Sequence, residues 1–258
     1  MSIHDFSFNG VSLSSLGGRI IQAPMHTIAT RDKSFVKIYG QSGDEVIDNG
    51  SYNNVNFSVK IGFFTFVAQQ TAEQLAQTII DWLAPLQDGY YEYRDTYNDG
   101  YFTRAALTNF DEIQREMRTF LTATLKFSRV PFWYSDVGAQ PVSATNGILT
   151  LTNPESYDAE PIYHFEYTGT AGNNIYMNVF NDSYYVGHFL IGGVWQTHYI
   201  NGVDKQHYTF VDGQRYYPDT LLLPNLKPKS QTRISTTLVN YGAGVDYTLE
   251  VTPNWRRL

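Results

Sequence analysis

The sequence predicts an all-β protein with one helix, built as two β-sandwich domains. Short segments of alternating apolar and polar residues recur along the chain, separated by turns rich in Gly, Asn and Asp. Aromatic residues make up 16% of the chain, with 20 Tyr and 16 Phe, and this composition favours strands. Only one segment has clear helical periodicity. At 258 residues, the chain is long enough for two ordinary domains.

The segment at residues 113–134 marks the predicted junction between the domains. Its start also fits a helical spacing, but its three threonines favour a strand over residues 117–127. One face of that strand consists of alternating residues: Met117, Thr119, Leu121, Ala123, Leu125 and Phe127. Pro131 ends the strand, and three aromatic residues precede a polar segment. We therefore predict a first domain at residues 1–134 and a second at residues 135–258.

The first domain contains further strand signals on the N-terminal side of this junction. Asp48, Asn49 and Gly50 form a strong hairpin-turn signal, and Asn98, Asp99 and Gly100 form another. Pro24 interrupts the second of the predicted strands. These strands lie at residues 6–8, 19–30, 35–39, 55–61, 90–93 and 101–107.

The helix is predicted at residues 71–85. Thr71 and Gln74 have the spacing of a capping box, and Pro85 provides a stop signal. Its apolar residues fall on one face, so we expect the helix to cover one face of a sheet rather than to bind a partner.

The second domain repeats the strand pattern without a helix. Many short strands at regular spacing, separated by Gly-containing turns, are typical of a β-sandwich. The predicted strands are residues 148–152, 162–168, 175–180, 184–191, 195–200, 208–211, 221–223, 231–238 and 247–252.

Charge and composition exclude several classes of function. The chain has no cysteine, which excludes disulfides, thiolate zinc sites and cysteine nucleophiles. Its net charge of −7 is spread over both halves without a basic block, so it is a poor candidate for gripping nucleic acid, although it could surround DNA. No apolar run is long enough to span a membrane, and no secretion signal begins the chain, so we expect synthesis in a cytoplasm without export.

No motif of a hydrolase, NTPase or dinucleotide-binding enzyme is present. A metal site from His164, His188 and His198 is conceivable, but ordinary strand histidines are the better interpretation. A β-sandwich glycosidase would need two facing carboxylates, whereas carboxylates in turns are usually solvated. The candidates are Glu155, Asp158, Glu160, Glu166 and Asp182. We predict no catalytic residue, no metal and no cofactor.

Aromatic residues cluster in the second domain and offer a candidate binding site. Tyr184, Tyr185, Trp195 and Tyr199, with Tyr208, Tyr216 and Tyr217 nearby, are candidates for a platform on which sugar rings stack. Strand alternation would equally place about half of these side chains in the core. Core packing or protein contact is the better interpretation of the group.

The order of several short motifs resembles the distal tail protein (Dit) family of long, non-contractile-tailed bacteriophages, especially those of Gram-positive hosts. The resemblance covers essentially the whole chain. Its motifs are an opening Phe-Ser-Phe-Asn-Gly, a strand that ends in Gly-x-x-Gly, a Gly-led turn, an Asn-Pro to Glu-Pro segment and a final strand with a basic tail. They lie at residues 6–17, 35–43, 50–54, 151–162 and 248–257.

This resemblance implies a structural protein of the virion, at the tail tip or baseplate, and not an enzyme. The first domain would be a tail-tube-like β-sandwich or split barrel that forms a hexameric ring, through which DNA passes without specific binding. The second domain would be a galectin-like, jelly-roll sandwich of the compact form. Implied partners are the tail tube protein, the tail-associated lysin or hub protein, the tape measure protein, and receptor-binding or baseplate proteins. The alternative function is a carbohydrate-binding module or adhesin for host cell-wall polysaccharide.

Overall fold

A computed structural model describes residues 4–110, 112–144, 147–168, 174–181, 184–192, 197–211, 214–216, 225–239 and 246–258. The chain divides into two compact units, Met1–Trp133 and Tyr134–Arg257, with Leu258 grouped with the first. The described residues form many strands and one helix longer than a single turn. The predicted fold class, all-β with one helix, is therefore confirmed.

The first unit is a sheet with one helix and a separate two-stranded ribbon. Its strands are β1 (Phe6–Phe8), β2 (Val11–Ser12), β3 (Gly18–Gln22), β4 (Arg31–Lys37), β5 (Asp44–Tyr52), β6 (Val55–Phe64), β7 (Tyr91–Asp95), β8 (Tyr101–Phe110), β9 (Gln114–Met117) and β10 (Phe120–Arg129). The sheet runs in the order β2-β1-β7-β8-β10-β6-β3, with β9 paired to β10, and all of these pairs are antiparallel. Strands β4 and β5 pair only with each other. The helical segments are α1 (Thr65–Ala68) and α2 (Ala72–Leu83), and short 3₁₀ turns occupy Leu13–Leu16 and Ala84–Leu86.

Helix α2 covers the inward face of this sheet, as predicted. The Thr71 hydroxyl accepts a hydrogen bond from the Gln74 backbone N–H, and the Gln74 side chain accepts one from the Thr71 N–H. The predicted capping box is thus present. The apolar face of the helix is fully buried against the aromatic and aliphatic side chains of β1, β6, β7, β8 and β10. Its core residues are Leu75, Ile79 and Leu83.

The two faces of the sheet differ because side chains alternate along each strand. On β6 and β10, the pairs Val59–Leu125 and Ile61–Ala123 point into the core. The intervening residues point outward, on the side opposite α2.

The prediction of one continuous strand over residues 117–127 is wrong at its beginning. A turn at Arg118 and Thr119 separates β9 from β10, and Met117 is 69% exposed. Met117 pairs with Phe120 across this turn, so it cannot continue the buried face. Thr119 lies in the turn and is exposed as well, whereas the other four residues of the predicted face are buried: Leu121, Ala123, Leu125 and Phe127.

The predicted hairpin turn at Asp48, Asn49 and Gly50 is also wrong, because these residues lie within β5. The turn lies instead between β4 and β5, where Gly40 and Gly43 have φ values of 81° and 92°. Gly50 does have a positive φ of 78°, but it accompanies a register shift in the β4–β5 pair. A glycine with positive φ is as typical of a β-bulge as of a hairpin turn.

The second unit is a sandwich of two antiparallel sheets. Its strands are β12 (Val142–Ser143), β13 (Ile148–Thr152), β14 (Ile162–Thr168), β15 (Asn174–Asn181), β16 (Tyr184–Gly192), β17 (Thr197–Asn201), β18 (Gln206–Val211), β19 (Gln214–Tyr216), β20 (Gln231–Val239) and β21 (Asp246–Thr252). Two short strands, β11 (Trp133–Ser135) and β22 (Arg256–Arg257), pair with each other and belong to neither sheet of the sandwich. One sheet has the order β12-β21-β14-β17-β18-β19 and the other β13-β20-β15-β16. Buried residues from both sheets form one core, which includes Phe165, Leu249, Met177 and Ile234. The strand predicted at residues 221–223 lies outside the described residues.

Candidate functional surfaces

The ribbon of β4 and β5, with its turn at residues 38–43, is here named the β-arm. Every residue of its two strands is exposed except Asp32 and Tyr52, which are half-buried. Apolar side chains lie on both of its faces and at its tip, where Tyr39 is fully exposed. They are Phe35, Val36, Ile38, Tyr39, Val46 and Ile47. The β-arm therefore leaves its apolar residues uncovered within the described parts of this chain.

Side chains at the base of the β-arm hold it in one arrangement. Arg31 forms an ion pair with Asp48 at 2.8 Å and lies over the ring of Tyr52, 4.8 Å from its centroid. The hydrogen bond from Arg31 lowers the pKa of Asp48. Tyr52 in turn meets the edge of Phe132, with ring centroids 5.6 Å apart. Because the ion pair is exposed, its contribution to stability is small. The edge contact between Tyr52 and Phe132 therefore contributes to holding the base of the β-arm.

Arg129 fixes the segment that leads into the β-arm. Its guanidinium donates hydrogen bonds to the backbone carbonyls of Val130 and Pro131, and a third to that of Thr27 at 3.2 Å. Burial lowers the pKa of Arg129 to about 10, and the Asp95 carboxylate opposes that shift. A buried cation whose donors meet three carbonyls is a structural tie between β10 and residues 23–30.

A second apolar surface of the first unit lies beside β3. A groove of about 410 Å³ is lined by Ser14, Gly17, Gly18, Arg19, Phe64, Phe66 and Val67. Phe66 and Val67 are 68% and 54% exposed. Gly17 and Gly18 allow the backbone to pack closely against its neighbours here, because an added Cβ would lie under 3 Å from Ala68, Phe63 or Leu13. The first unit thus carries both a projecting apolar element and an apolar groove.

The outward face of the first unit's sheet carries cations that lie far apart in the sequence. Each of five adjacent strands, β7, β8, β10, β6 and β3, has one cation at an outward position. They are Arg94, Arg104, Lys126, Lys60 and Arg19 in that order. The acidic side chains on this side are Glu92, which forms an ion pair with Arg94, and Glu116, which accepts a hydrogen bond from Thr122. The only sequence signal for this row is the alternation of exposed cations with buried apolar residues.

Of the four predicted aromatic site residues, the structure describes the side chain of Tyr199 alone. Its ring stacks between those of His164, at 4.4 Å, and Tyr208, at 5.2 Å. Arg215 lies over Tyr208, 4.6 Å from its centroid. Partial burial, followed by the nearby Glu166 carboxylate, raises the pKa of Tyr199. Both ring faces of Tyr199 are thus occupied by neighbouring side chains.

The other predicted aromatic residues lie beyond what the structure describes. Tyr184 and Tyr185 begin β16, but their side chains are outside the described set, as is Trp195 altogether. A sugar-stacking platform at these positions stays a prediction.

The predicted carboxylates and histidines of the second unit have structural partners. Lys227 binds Asp158 at 2.9 Å, and Lys205 and Arg256 both bind Glu160. Asp182 lies outside the described residues, and Glu155 has its backbone N–H bound to the Asn153 side chain. These contacts join loops of the sandwich to one another.

Of the three histidines considered for a metal site, the two with described side chains, His164 and His198, have different neighbours. His164 is on the outward face between Glu166 and Glu250, whereas His198 is buried and lies 3.0 Å from His207. The side chain of His188 is not described. Among the described residues, no group of three or more His, Asp or Glu side chains is placed to hold a metal ion. None of the described helices is long and apolar enough to cross a membrane.

Comparisons with known proteins give matches in structure only. No model of a protein family matches the chain, and no curated protein is similar to it in sequence. The chain is similar to the Dit protein of phage SPP1, described as a paradigm of the hub adsorption apparatus in phages that infect Gram-positive bacteria. That match has a TM-score of 0.63 and 15% identity, and it covers 97% of this chain and 98% of the other.

A second similar structure is a chain of the phage P2 baseplate in its activated conformation with Ca. It has a TM-score of 0.53 and 9% identity, with coverage of 97% and 98%. Both matches extend over the two units, and the two neighbours come from a phage hub adsorption apparatus and a phage baseplate. The chain therefore has the fold of phage distal tail (Dit) and baseplate hub proteins.

Proposed function

We propose that this protein is a structural subunit of a phage tail tip that closes into a hexameric ring through its β-arm. The observation that carries the proposal is the exposure of apolar residues on both faces of the β-arm. A two-stranded ribbon is marginally stable in water by itself, so an apolar ribbon needs a covering partner.

A second copy of the chain is the partner that the surfaces favour. The β-arm projects apolar residues, and the groove at Phe64, Phe66 and Val67 offers an apolar recess on the same unit. Two different patches that bind each other between identical chains make a head-to-tail contact, and repetition of that contact closes a ring when the rotation allows it. Ring closure also protects the edges of the β-arm from unspecific strand pairing.

The remaining roles are those that the resemblance to the Dit family implies, and the likeness in fold to the SPP1 and P2 proteins supports them. The first domain, residues 1–134, would form the ring and the passage for DNA in a non-contractile tail of a siphovirus. The second, residues 135–258, would be a galectin-like sandwich on the outside. The ring would join the tail tube and tape measure proteins to the tail-associated lysin or hub protein and to receptor-binding or baseplate proteins. Host adsorption would be the purpose of this assembly, and catalysis would have no part in it.

Light scattering on the purified chain tests the ring. We expect the mass of six copies of the 29.4 kDa chain, and a central hole in negative-stain images. Phe35→Asp should reduce the mass to that of one copy, because it places a charge in the apolar contact. Phe66→Asp should do the same from the other side of the contact.

Ser34→Asp is the matched control, since it adds the same charge to the neighbouring exposed position of β4. The proposal fails if the unmodified chain is monomeric, or if Phe35→Asp leaves the hexamer intact. Circular dichroism spectra that match among the variants, each with a cooperative melt, would show that the loss of assembly is not a loss of folding.

The alternative function, a module that binds host cell-wall polysaccharide, rests on Tyr184, Tyr185 and Trp195. Binding of the full chain to that polysaccharide, with loss on Trp195→Ala, would support it. The stacked position of Tyr199 gives that residue a structural role within the sheet.

A further inference from the structure

The two faces of the β-arm differ in charge over the paired segments 33–37 and 44–48. On one face, each lysine lies opposite an aspartate, so its charges are balanced. These cross-strand pairs are Lys33–Asp48 and Lys37–Asp44. The other face has one charged residue, Glu45, which is exposed and lies opposite Val36. Glu45 forms no ion pair with any residue that the structure describes, so its charge is left for a partner.

The tip of the β-arm, its turn at residues 38–43, adds an exposed aromatic ring. Tyr39 is fully exposed, and Ile38 beside it is 40% exposed. Glu45 follows this turn at the start of β5. Tyrosine is enriched among the residues that dominate the energy of protein interfaces. The end of the β-arm therefore presents an apolar anchor together with one carboxylate that the chain itself does not neutralise.

The apolar groove beside β3 has the opposite charge. Among the described residues that line it, Arg19 alone is charged. The Arg19 guanidinium lies over the ring of Phe64, 4.7 Å from its centroid, and within the described part of the chain it has no carboxylate partner. Asp5 accepts hydrogen bonds from Ser14 at the rim, but Asp5 does not line the groove. An apolar recess with one cation complements an apolar tip with one carboxylate.

We propose that Tyr39 enters this groove on the next copy of the chain and that Glu45 pairs there with Arg19. The inference rests on the proposed ring and deepens it, because it names the contacts that give the β-arm one register in the groove. An aromatic side chain in a pocket anchors a protein contact, and a charge pair beside it selects the partner and its orientation. A β-arm that was shifted or reversed along the groove would leave both Glu45 and Arg19 without a partner.

Charge reversal in the full chain tests the pairing, with light scattering over a range of protein concentrations as the measurement. Glu45→Arg should raise the concentration at which half of the protein is assembled by about tenfold or more, because two arginines then meet in every contact. Arg19→Glu should have a similar effect, because two glutamates then meet. The double variant Glu45→Arg/Arg19→Glu should return this concentration to near the unmodified value, since the pair is restored with its charges exchanged.

Asp99→Arg is the matched control, since Asp99 is an exposed carboxylate in the turn between β7 and β8 and the net charge changes equally. It should leave assembly unchanged. A second pair of variants tests the anchor. Tyr39→Ala should weaken assembly and Tyr39→Phe should not, because the ring and not the hydroxyl fills the groove. Matching circular dichroism spectra would show that each variant is folded.

The pairing is overturned if Glu45→Arg assembles as the unmodified chain does, or if the double variant assembles no better than the single ones. An equal loss with Asp99→Arg would show an effect of net charge and would also overturn it. An unaffected Tyr39→Ala protein would overturn the anchor. Each of these results leaves the ring itself standing, because the ring is read from the mass of the unmodified chain. A monomeric unmodified chain would overturn the ring and this inference together.

Discussion

The sheet of the first unit and the β-arm are both antiparallel, but their apolar side chains have opposite environments. Both place aromatic and aliphatic residues on their strands. In the sheet, helix α2 and neighbouring strands cover Leu125 and Phe127 completely or nearly so. In the β-arm, Phe35 and Val46 are 66% and 52% exposed. The sheet is thus stabilised within the chain, whereas the β-arm has apolar surface left for a partner.

The largest effect should come from a charge placed in the sheet core. Leu125→Asp should prevent folding of the first unit, because a buried carboxylate without a partner costs several kcal/mol, comparable to total stability of about 5–15 kcal/mol. Circular dichroism and thermal melting of the purified chain would show the loss.

Val36→Asp is the comparison for that experiment, since Val36 is 43% exposed on β4. We expect Val36→Asp to keep the folded circular dichroism spectrum and a cooperative melt, because its side chain is not part of the core of the unit. A soluble Leu125→Asp protein with an unchanged melt would contradict the assignment of β10 to the core, and an unfolded Val36→Asp protein would contradict the independence of the β-arm.

The tie between the sheet and the β-arm should have an intermediate effect. Arg129→Met keeps the apolar stem of the side chain and removes its hydrogen bonds to the carbonyls of Val130, Pro131 and Thr27. We expect a loss of roughly 2–3 kcal/mol in the free energy of unfolding, because the buried Arg129 side chain loses three charge-assisted hydrogen bonds to backbone carbonyls. Urea denaturation measures that loss.

Hydrogen exchange on the same variant distinguishes a local from a general effect. Amides of residues 23–30 should exchange faster than in the unmodified protein. The exchange rate of the α2 amides should change only as much as the global free energy of unfolding changes. Uniform change at both places would show that Arg129 supports the core and not the segment that leads into the β-arm.

The elements that follow local rules were predictable from the sequence. Helix α2 was predicted with its capping box at Thr71 and Gln74, because both signals lie within four residues of each other. The burial of Leu121, Ala123, Leu125 and Phe127 followed from alternation. Met117 belongs to the same alternation but is exposed, because a turn separates it from the strand. That turn contains no Gly or Pro, so the sequence carries no signal for it.

The candidate surfaces were less predictable, because they depend on which strands become neighbours. Lys60 and Lys126 are 66 positions apart in the sequence, and only the pairing of β6 with β10 makes them adjacent. An evenly spread net charge therefore concealed a cationic face. The β-arm was not predicted for a different reason. Its strands have the same alternation as buried strands, and the signal at Gly50 predicted a hairpin turn at the wrong place. Whether an apolar ribbon is covered is a property of the surroundings and not of the ribbon.

The smallest effect should come from a substitution at Gly50. It tests whether backbone strain in the β-arm changes the stability of the whole unit. Gly50 has a φ of 78°, and an added Cβ would meet no atom within 4 Å, so Gly50→Ala tests backbone strain without a clash. An alanine at positive φ costs about 1 kcal/mol. Because the β-arm makes few contacts with the core, that cost should appear as faster amide exchange in β4 and β5, with an unchanged melting temperature of the unit. A lower melting temperature would instead show that the β-arm folds and unfolds together with the sheet.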